Sequence, residues 1–572
     1  MKIPYGESNF KKVREQGFVY IDKTKHIAAL ENQGSHLFLL RPRRFGKSLF
    51  ISALEYYYDQ NHADDFETLF GDLYIGKHPT PLKNSYQVLF MEFSGIATGT
   101  FEQVYSGFNT AIEVGLHNFI ERYGHDHALI DQLTKKKSPH EKMKVFFDVL
   151  YDQKILFLID EYDHFANAIL SEDLKLFQKI VGKGGFVRSF YETLKTATQR
   201  GTLDRLFITG VTPLMLDSLT SGFNIGENQS LKKEFNEAIG FTREEVKTLL
   251  EPIIQQCGLD QSKLLSDMAA WYNGYRFNMD TPETIYNANM VLYFAKNFQL
   301  DKCAYPELML DENIASDYGK LMGLFSIGDR DTNFAVLDEL INQGSVLATQ
   351  RRKFDFDKGF DQDDFISLLA YMGFVTLEGK TLAGEIFRVP NYVISELYFQ
   401  YFKVELERRN QITISSRNQL LAVEALALRD DIQPMVDELE QVLQLLSNRD
   451  SLWFDEEHIK SILLTLLYQS PVYFIQSERE MNRKYPDVML LERSPYEVKH
   501  QHLIELKYTK KGDKEAGWAA KRADGIEQVN GYLELPAIAR PLQTRPGAAR
   551  EPREGESTFN LVSAFVVRLA EQ

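Results

Sequence analysis

Hydrophobic positions in the first 240 residues occur in short continuous runs, and each run is followed by a segment with helical spacing. Continuous apolar runs are typical of strands that helices cover on both faces. Their alternation with helices predicts a parallel α/β sheet. The predicted strands are SHLFLL (35–40), YQVLFMEF (86–93), KILFLI (154–159) and RLFITGV (205–211).

Helical spacing replaces the strand pattern in several longer segments. It predicts a helical insertion at residues 96–150 and a mainly helical region from about 240 to 410. Within that region, residues 362–392 predict a helix followed by a short hairpin, which indicates a small winged-helix-like unit. Residues 417–447 predict one long amphipathic helix or a pair of helices.

The last part of the chain returns to mixed patterns. After about residue 450 the order is helix, strand, strand, helix, strand, which predicts a separate C-terminal α/β domain. The segment 544–558 is rich in proline, glycine and charge, which favours a flexible loop. A chain of 572 residues is also too long for one core, so several domains are expected.

Composition narrows the class of protein. The net charge of −16 repels polyanions, so contact with nucleic acid requires a local basic patch. Two cysteines, Cys257 and Cys303, are too few for a disulfide framework or a cysteine-rich zinc site, which is typical of a reducing compartment. No signal pattern and no apolar run of membrane-spanning length is present. The expected protein is cytoplasmic, without a membrane segment.

The stretch RPRRFGKS (41–48) predicts a phosphate-binding loop, because it lies between a predicted strand and a predicted helix. Gly46 permits close approach of a phosphate, Lys47 suits the β- and γ-phosphates, and Ser48 suits Mg²⁺. The general pattern G-x-x-x-x-G-K-[ST] has glycine where this chain has Arg41. The neighbouring arginines either add phosphate contacts or form a solvated or nucleic-acid-facing patch.

A second half of the site is predicted at the end of KILFLIDEYD. Asp160 would hold Mg²⁺ through water, and Glu161 would orient the attacking water. The strand RLFITGVTP brings Thr209 and Thr212, whose hydroxyls could sense the γ-phosphate. Taken alone, Asp160 and Glu161 also fit an ordinary acidic turn, but their order behind the loop favours a nucleotide site. The predicted nucleotide-binding residues are Arg43, Arg44, Phe45, Gly46, Lys47, Ser48, Asp160 and Thr209.

A different constellation lies in the C-terminal part. Glu505 and Lys507 share one face of a predicted strand, and Asp487 begins the strand before it. Paired carboxylates bind a hard cation such as Mg²⁺, and the lysine would position water and offset phosphate charge. The predicted metal ligands of the whole chain are Ser48, Asp160, Asp487 and Glu505. The alternative is an ordinary surface strand, because E-x-K is common.

Neighbouring segments support the C-terminal constellation. The arrangement resembles that of the PD-(D/E)xK nucleases, and the resemblance implies a further acidic residue on the preceding helix, Glu456 or Glu457. It also implies a glutamine on the following helix, here Gln528, with Tyr532 a turn further on. Residues 499–522 contain seven Lys/Arg against three Asp/Glu, a local excess typical of a phosphate-contacting surface. A solvated charged face is the alternative.

Five segments in this order, YIDKTKHIAAL, LRPRRFGKS, FLIDEYD, FITGVTPLMLDSLTSGFNI and WYNGYRF, resemble the AAA-ATPase-like family with a C-terminal PD-(D/E)xK nuclease-like domain. The resemblance spans essentially the whole chain. In that family the Arg-Pro-Arg-Arg-Phe-Gly-Lys-Ser loop is the usual form. The resemblance therefore implies ATP binding at the loop, with Asp160 and Glu161 as the metal-holding and water-activating pair.

Two features of the resemblance stay open. In WYNGYRF (271–277), Arg276 is either a sensor or arginine finger for the nucleotide, or one exposed arginine in an aromatic cluster. Before Asp487 the family usually has Gly-Arg, whereas this chain has Lys484, Tyr485 and Pro486.

The expected architecture has three parts. They are a P-loop AAA-like ATPase domain with a parallel sheet (1–240), a helical lid with the winged-helix-like region (241–410), and linker helices with a restriction-endonuclease-like α/β domain (411–572). The first hypothesis is an ATPase fused to a Mg²⁺-dependent nuclease that acts on nucleic acid. DNA is expected as the substrate more than RNA, and the sequence is compatible with a homo-oligomer. The alternatives are a nucleotide-dependent switch that binds nucleic acid or protein without cleavage, and a loop that binds nucleotide without turnover.

Overall fold

The computed structural model describes residues 1–182, 184–215, 225–311, 321–354, 359–447, 456–477, 486–509, 515–534 and 562–570. The predicted flexible loop at 544–558 lies outside these residues. The chain divides into two compact units. The first comprises Met1–Lys296, Asp311–Val336 and Val346–Tyr392, and the second comprises Asn297–Leu310, Leu337–Ser345 and Val393–Gln572. The three-part division expected from the sequence stays a prediction.

A five-stranded sheet forms the centre of the first unit. Its order is β2-β3-β4-β1-β5, and its paired strands are parallel. The strands are β1 His36–Leu40, β2 Gln87–Glu92, β3 Ile155–Asp160, β4 Leu203–Gly210 and β5 Glu227–Asn228. The four strands predicted from continuous apolar runs are confirmed. Because β4 lies between β1 and β3, the segments that follow these three strands meet at one edge of the sheet.

Helices surround this sheet and supply the rest of the core. Those that precede residue 240 are α1 Phe10–Glu15, α2 Lys25–Glu31, α3 Lys47–Tyr58, α4 Phe66–Phe70, α5 Tyr74–Lys77, α6 Phe101–Tyr123, α7 Ala128–Thr134, α8 Pro139–Val149, α9 His164–Glu172, α10 Leu174–Val181 and α11 Phe186–Arg200. Helices α6 to α8 confirm the predicted insertion at 96–150. The buried face of α3 packs Phe50, Ile51 and Leu54 into the core beside the sheet.

The region after residue 240 is mainly helical, as predicted. Its described helices are α12 Arg243–Cys257, α13 Gln261–Tyr272, α14 Ala288–Asn297, α15 Leu321–Leu324, α16 Arg330–Gln343, α17 Gln362–Met372 and α18 Tyr392–Asn410. Helix α17 leads into the hairpin of β7 Thr376–Lys380 and β8 Glu385–Arg388, and β6 Ser345–Ala348 pairs beside β8. The predicted helix and hairpin at 362–392 are therefore confirmed.

The second unit contains a four-stranded sheet of order β12-β11-β10-β9. Strand β10 runs antiparallel to both neighbours, and β11 runs parallel to β12. The strands are β9 Tyr473–Ser477, β10 Val488–Glu492, β11 Gln501–Thr509 and β12 Val562–Ala570. The sequence pattern missed β9, a short apolar run directly behind a helix.

Four helices complete the described part of this unit: α19 Ser416–Arg429, α20 Gln433–Ser447, α21 Glu456–Leu467 and α22 Glu515–Leu533. The break between α19 and α20 falls at Asp430, whose φ of 57° ends the first helix in a left-handed conformation. Residues 417–447 thus form a helix pair rather than one long helix.

Two expectations from composition concern membrane-spanning segments and the state of the cysteines. Among the described residues, helices long and apolar enough to traverse a bilayer are absent. Neither cysteine is a free thiol, so the cysteines do not support the expected reducing compartment, and the cytoplasmic location stays a prediction.

His502 on β11 makes the stability of the second unit depend on pH. Its ring is fully buried, and its Nε2 atom lies 3.0 Å from the carbonyl oxygen of Leu426 on α19. Burial lowers the pKa of His502 to about 4. The unfolded chain therefore binds a proton near pH 6.5 that the folded protein does not, and stability falls as pH decreases below this value.

We expect the free energy of unfolding to drop by about 2 kcal/mol between pH 7 and pH 5 because of this one group. His502→Gln keeps an amide donor for the Leu426 carbonyl but does not titrate. Urea denaturation at both pH values should show a smaller loss in the variant than in the unchanged protein. Equal losses in the two proteins would contradict the assignment.

Candidate active sites

The phosphate-binding loop connects β1 to α3 in the first unit. Arg44 and Gly46 both adopt left-handed backbone conformations, with φ of 67° and 105°. The Arg44 carbonyl accepts a hydrogen bond from the Asn289 amide at 3.1 Å, and the Arg43 carbonyl accepts one from Asn287 Nδ2 at 3.3 Å. Left-handed residues inside such a loop form concave main-chain surfaces that bind anions. The loop is therefore shaped and tethered as a phosphate site requires.

Arg41 stands where the general pattern has glycine, and its side chain turns into the protein. It is 1% exposed, and its guanidinium donates to the carbonyl oxygens of Leu40 (2.9 Å), Ser230 (2.8 Å) and Phe235 (2.5 Å). The guanidinium carbon also lies 4.0 Å from the ring centre of Phe277. Burial lowers the pKa of Arg41 to about 9, which leaves it charged at neutral pH. Arg41 thus anchors the start of the loop.

Lys47 begins α3 at the floor of the site. Its ammonium donates to the Pro42 carbonyl at 3.1 Å and is buried. Burial lowers the pKa of Lys47, while the charges of Glu161 and Asp160 oppose that change. The next residue, Ser48, is half-buried and lines the same cleft.

The acidic pair lies at the end of β3, as predicted: Asp160 is the last residue of the strand and Glu161 follows it. Asp160 is buried, and its Oδ1 atom accepts hydrogen bonds from the Glu161 amide at 2.9 Å and from the Thr209 hydroxyl on β4. Thr209 was expected to sense the γ-phosphate, but its hydroxyl instead orients Asp160. Glu161 has a φ of 49°, an unfavourable conformation for a residue with a side chain, and burial raises its pKa. Strain at such a position indicates a functional constraint.

Asp163, the last residue of DEYD, was not among the predicted site residues. Its carboxylate is 1% exposed and accepts hydrogen bonds from the amides of Val211 and Thr212, at 3.0 and 2.6 Å, and from Asn167 Nδ2 at 2.6 Å. The Thr212 hydroxyl bonds both Asp163 and Asn167 rather than facing a nucleotide. This network ties the turn after β3 to the end of β4. The repeated aspartate in DEYD was the available signal.

A cleft of about 370 Å³ lies between the phosphate-binding loop and Glu161. Its polar side carries the loop from Arg43 to Ser48 together with Glu161. Its apolar side is formed by residues from the N-terminal segment and from the helical region: Pro4, Val19, Tyr20, Ile21, Ile239, Phe241, Leu249, Ala288 and Leu292. A polar phosphate end beside an apolar wall fits a nucleotide. Thr209 and Asp160 are not part of the cleft wall.

The second candidate site lies on β10, β11 and α22 of the second unit. Asp487 is 8% exposed and accepts the Leu506 amide at 2.7 Å. Glu505 is 5% exposed; its Oε1 accepts a hydrogen bond from Lys507 at 2.9 Å, whereas its buried Oε2 has no hydrogen-bond partner among the described residues. Burial, aided by the charge of Asp487, raises the pKa of Glu505 to about 7. The structure therefore brings together the three residues that the sequence predicted.

Lys507 is held by groups on both sides. Besides Glu505, its ammonium contacts Gln528 Oε1 at 2.5 Å and Asp524 at 3.6 Å. Burial opposes its charge, but the hydrogen bond and charge of Glu505 raise the pKa of Lys507. The sequence indicated Gln528 but missed Asp524, which lies one helical turn before it.

The helix α21 contributes a lysine rather than the expected acid. Lys460 is 4% exposed, and its Nζ lies 3.4 Å from Asp487 Oδ1. Glu456 and Glu457, which the sequence offered, are both exposed at the start of the helix. A helical lysine gives no sign in the sequence that it faces inward.

Two family models match this chain. Residues 4–220 match the family described as predicted AAA-ATPase, and residues 454–543 match the PD-(D/E)XK nuclease superfamily. The N-terminal part of the chain is therefore similar to predicted AAA-ATPases, and its C-terminal part is similar to the PD-(D/E)XK nuclease superfamily. Each match contains the site described above: the loop and acidic pair in the first, and Asp487, Glu505 and Lys507 in the second.

One curated protein and two solved structures are similar to this chain at low sequence identity. An uncharacterized protein in the vnfD 5′ region of Azotobacter chroococcum mcd 1 is 27% identical over 304 residues. That match covers 52% of each chain, so it spans about half the length of this relative. Among solved structures, the Walker-type ATPase PABY2304 of Pyrococcus abyssi is 12% identical, with a TM-score of 0.38 over 66% of this chain and 96% of that one. A katanin structure is 10% identical, with a TM-score of 0.16 over 50% and 78%.

The WYNGYRF segment (271–277) packs against the phosphate-binding loop through its aromatic rings. The Tyr275 and Phe277 rings meet Phe45 edge-on at 4.9 and 5.7 Å. Arg276 donates to the carbonyl oxygens of Pro282 and Glu378, at 3.3 and 3.4 Å, and is not part of the cleft wall. Of the two interpretations of Arg276, the structure supports the aromatic cluster with an arginine at its edge.

Arg41→Met is expected to lower the free energy of unfolding of the protein by about 3 kcal/mol, because three buried carbonyl groups lose their donor. Arg200→Met, at an exposed ion pair with Asp148, should cost less than about 1 kcal/mol. Urea denaturation of both variants measures the difference. Similar small losses would show that Arg41 is not an anchor.

Proposed function

We propose that the protein hydrolyses ATP at the loop of its first unit and cleaves nucleic acid, with DNA as the preferred substrate, at Asp487, Glu505 and Lys507. The same observation supports the proposal in each unit. Acidic and basic side chains from separate helices, strands and loops lie close together in a buried site of that unit. Convergent ionisable groups with shifted pKa values are typical of catalytic sites.

The residues of the first site fit a magnesium nucleotide. Ser48 and Asp160 would hold Mg²⁺, which supplies neutralisation of phosphate charge when bound. Lys47 binds the β- and γ-phosphate oxygens through its ammonium. Glu161 orients the attacking water and accepts its proton at a carboxylate oxygen; the raised pKa suits that task. Thr209 keeps the Asp160 carboxylate in position.

The residues of the second site fit a divalent cation, because one buried carboxylate oxygen of Glu505, beside Asp487, accepts no hydrogen bond from the part of the chain that the structure describes. These two carboxylates would hold Mg²⁺, which supplies Lewis-acid stabilisation of the phosphodiester when bound. Lys507, fixed by Glu505 and Gln528, orients the attacking water and offsets negative charge on the phosphate.

The proposal is tested with the whole purified protein, by phosphate release from ATP and by cleavage of labelled DNA and RNA, each with MgCl₂ and with EDTA. Both activities are expected with MgCl₂ and neither with EDTA. Salt-sensitive binding of DNA without cleavage would support the nucleotide-dependent switch instead. Binding of ATP without phosphate release would leave only a nucleotide-binding loop.

Glu161→Gln separates ATP binding from ATP hydrolysis. The amide keeps the size of the side chain but cannot accept the proton of the attacking water. We expect phosphate release to fall by roughly 100-fold or more while the affinity for ATP changes little. Fluorescent-nucleotide titration and phosphate release measure the two quantities. Turnover close to that of the unchanged protein would remove Glu161 from its proposed role.

A further inference from the structure

Lys460 introduces a second buried positive charge beside the proposed nuclease site. It lies in α21, where the helix is buried on all sides between Ile459 and Leu467. Its ammonium is 3.4 Å from Asp487 Oδ1. A buried ammonium is costly unless an opposite charge lies near it, so Lys460 and Asp487 stabilise each other.

When both carboxylates are ionised, the charges of the cluster are balanced without a metal ion. The carboxylates of Asp487 and Glu505 face the ammonium groups of Lys460 and Lys507. Asp524 adds a further carboxylate near Lys507, but its side chain is 61% exposed and hence well screened by water. A divalent cation would therefore enter a cluster that is already close to neutral.

Few protein ligands are available to attract a divalent cation into this nearly neutral cluster. Across the described ranges, no group of three or more His, Cys, Asp and Glu residues is placed to hold a metal ion. At the proposed nuclease site the two carboxylates of Asp487 and Glu505 would bind the cation. Lys460 contacts an oxygen of Asp487. Since like charges at such distances repel strongly in a buried setting, Lys460 opposes cation binding.

We propose that Lys460 keeps the affinity of the Asp487–Glu505 site for divalent cations low until a phosphodiester enters. The inference rests on the proposed nuclease function. It adds Lys460 as a positioning residue that couples binding of the cation to binding of the substrate. The phosphodiester brings a negative charge that pairs with the ammonium of Lys460, and this removes the repulsion. By linkage, each of the two ligands then raises the affinity for the other by the same factor.

The test is Mn²⁺ binding to the full-length protein without nucleotide or nucleic acid, measured by titration calorimetry. Asp487→Asn identifies the part of the heat that belongs to this site. Lys460→Met is expected to bind Mn²⁺ there about ten-fold more tightly or better. Lys460→Gln, which can still hydrogen-bond Asp487, should behave likewise, and Lys460→Arg should retain the low affinity.

A matched control is Lys403→Met, which removes another buried lysine of the same unit, bound to Ser416 and Gln419. It should leave the Mn²⁺ affinity unchanged. Equal or weaker Mn²⁺ binding in folded Lys460→Met or Lys460→Gln overturns the inference, as does tighter binding in Lys460→Arg. Cleavage of DNA by the unchanged protein, lost in Asp487→Asn, tests the nuclease function separately, so either can fail alone.

Discussion

Lys47→Met is expected to reduce phosphate release from ATP by at least about 100-fold. The change removes the ammonium that is proposed to bind the phosphates and keeps the approximate length of the side chain. In the structure this ammonium is buried against Pro42 within the field of Asp160 and Glu161, so water cannot replace its charge. A fixed positive charge in a water-poor site contributes several kcal/mol to phosphoryl transfer, which corresponds to a loss of this size.

The matched control for Lys47→Met is Lys142→Met in the helical insertion of the same unit. Lys142 is also buried, and it bonds Glu113 and Asn109 far along the chain from the loop. Lys142→Met should lower the stability of the folded protein but leave phosphate release per folded molecule unchanged. Thermal melting reports the first quantity and a phosphate assay the second. Loss of turnover in both variants would indicate general destabilisation rather than a role for Lys47.

Asp487→Asn is expected to abolish cleavage of nucleic acid while phosphate release from ATP continues. Asparagine retains an oxygen for the Leu506 amide, so the strand pairing is preserved. It loses the negative charge that faces Lys460 and that would hold a cation in the proposed site. We expect cleavage to fall by at least about 100-fold, since the metal that Asp487 would hold in the proposed site would supply much of the stabilisation at the phosphate.

The control here is Asp437→Asn on α20, an exposed carboxylate that bonds Gln433. Its cleavage rate should match that of the unchanged protein. Gel assays of a labelled DNA at several MgCl₂ concentrations distinguish weaker cation binding from a slower chemical step. Cleavage that survives Asp487→Asn at every MgCl₂ concentration would exclude this site as its source.

Both sites were predictable to the extent that their chemistry follows local pattern. Lys47 and Ser48 open a helix after an apolar strand, and Glu505 and Lys507 alternate along one strand. Such neighbours are fixed by the geometry of one element and its connection. The parallel sheet follows in the same way from its continuous apolar runs.

The supporting contacts could not be predicted, because they join residues that are distant in sequence. The Arg41 side chain meets a carbonyl 194 residues away, Thr209 bonds Asp160 across 49 residues, and Lys460 meets Asp487 across 27. Arginine and lysine usually lie at the surface, so their types predict solvation. Only the assembled fold provides the buried acceptors that bring them inward.

Arg41 has a consequence for how nucleotide sites are recognised. A glycine at position 41 would bring the loop into agreement with the general G-x-x-x-x-G-K-[ST] pattern. The same change would remove a guanidinium that three carbonyl groups and the Phe277 ring enclose. At this position, agreement with the pattern and stability of the folded protein are therefore opposed. A search that scores similarity to the pattern would rank the less stable protein above the real one.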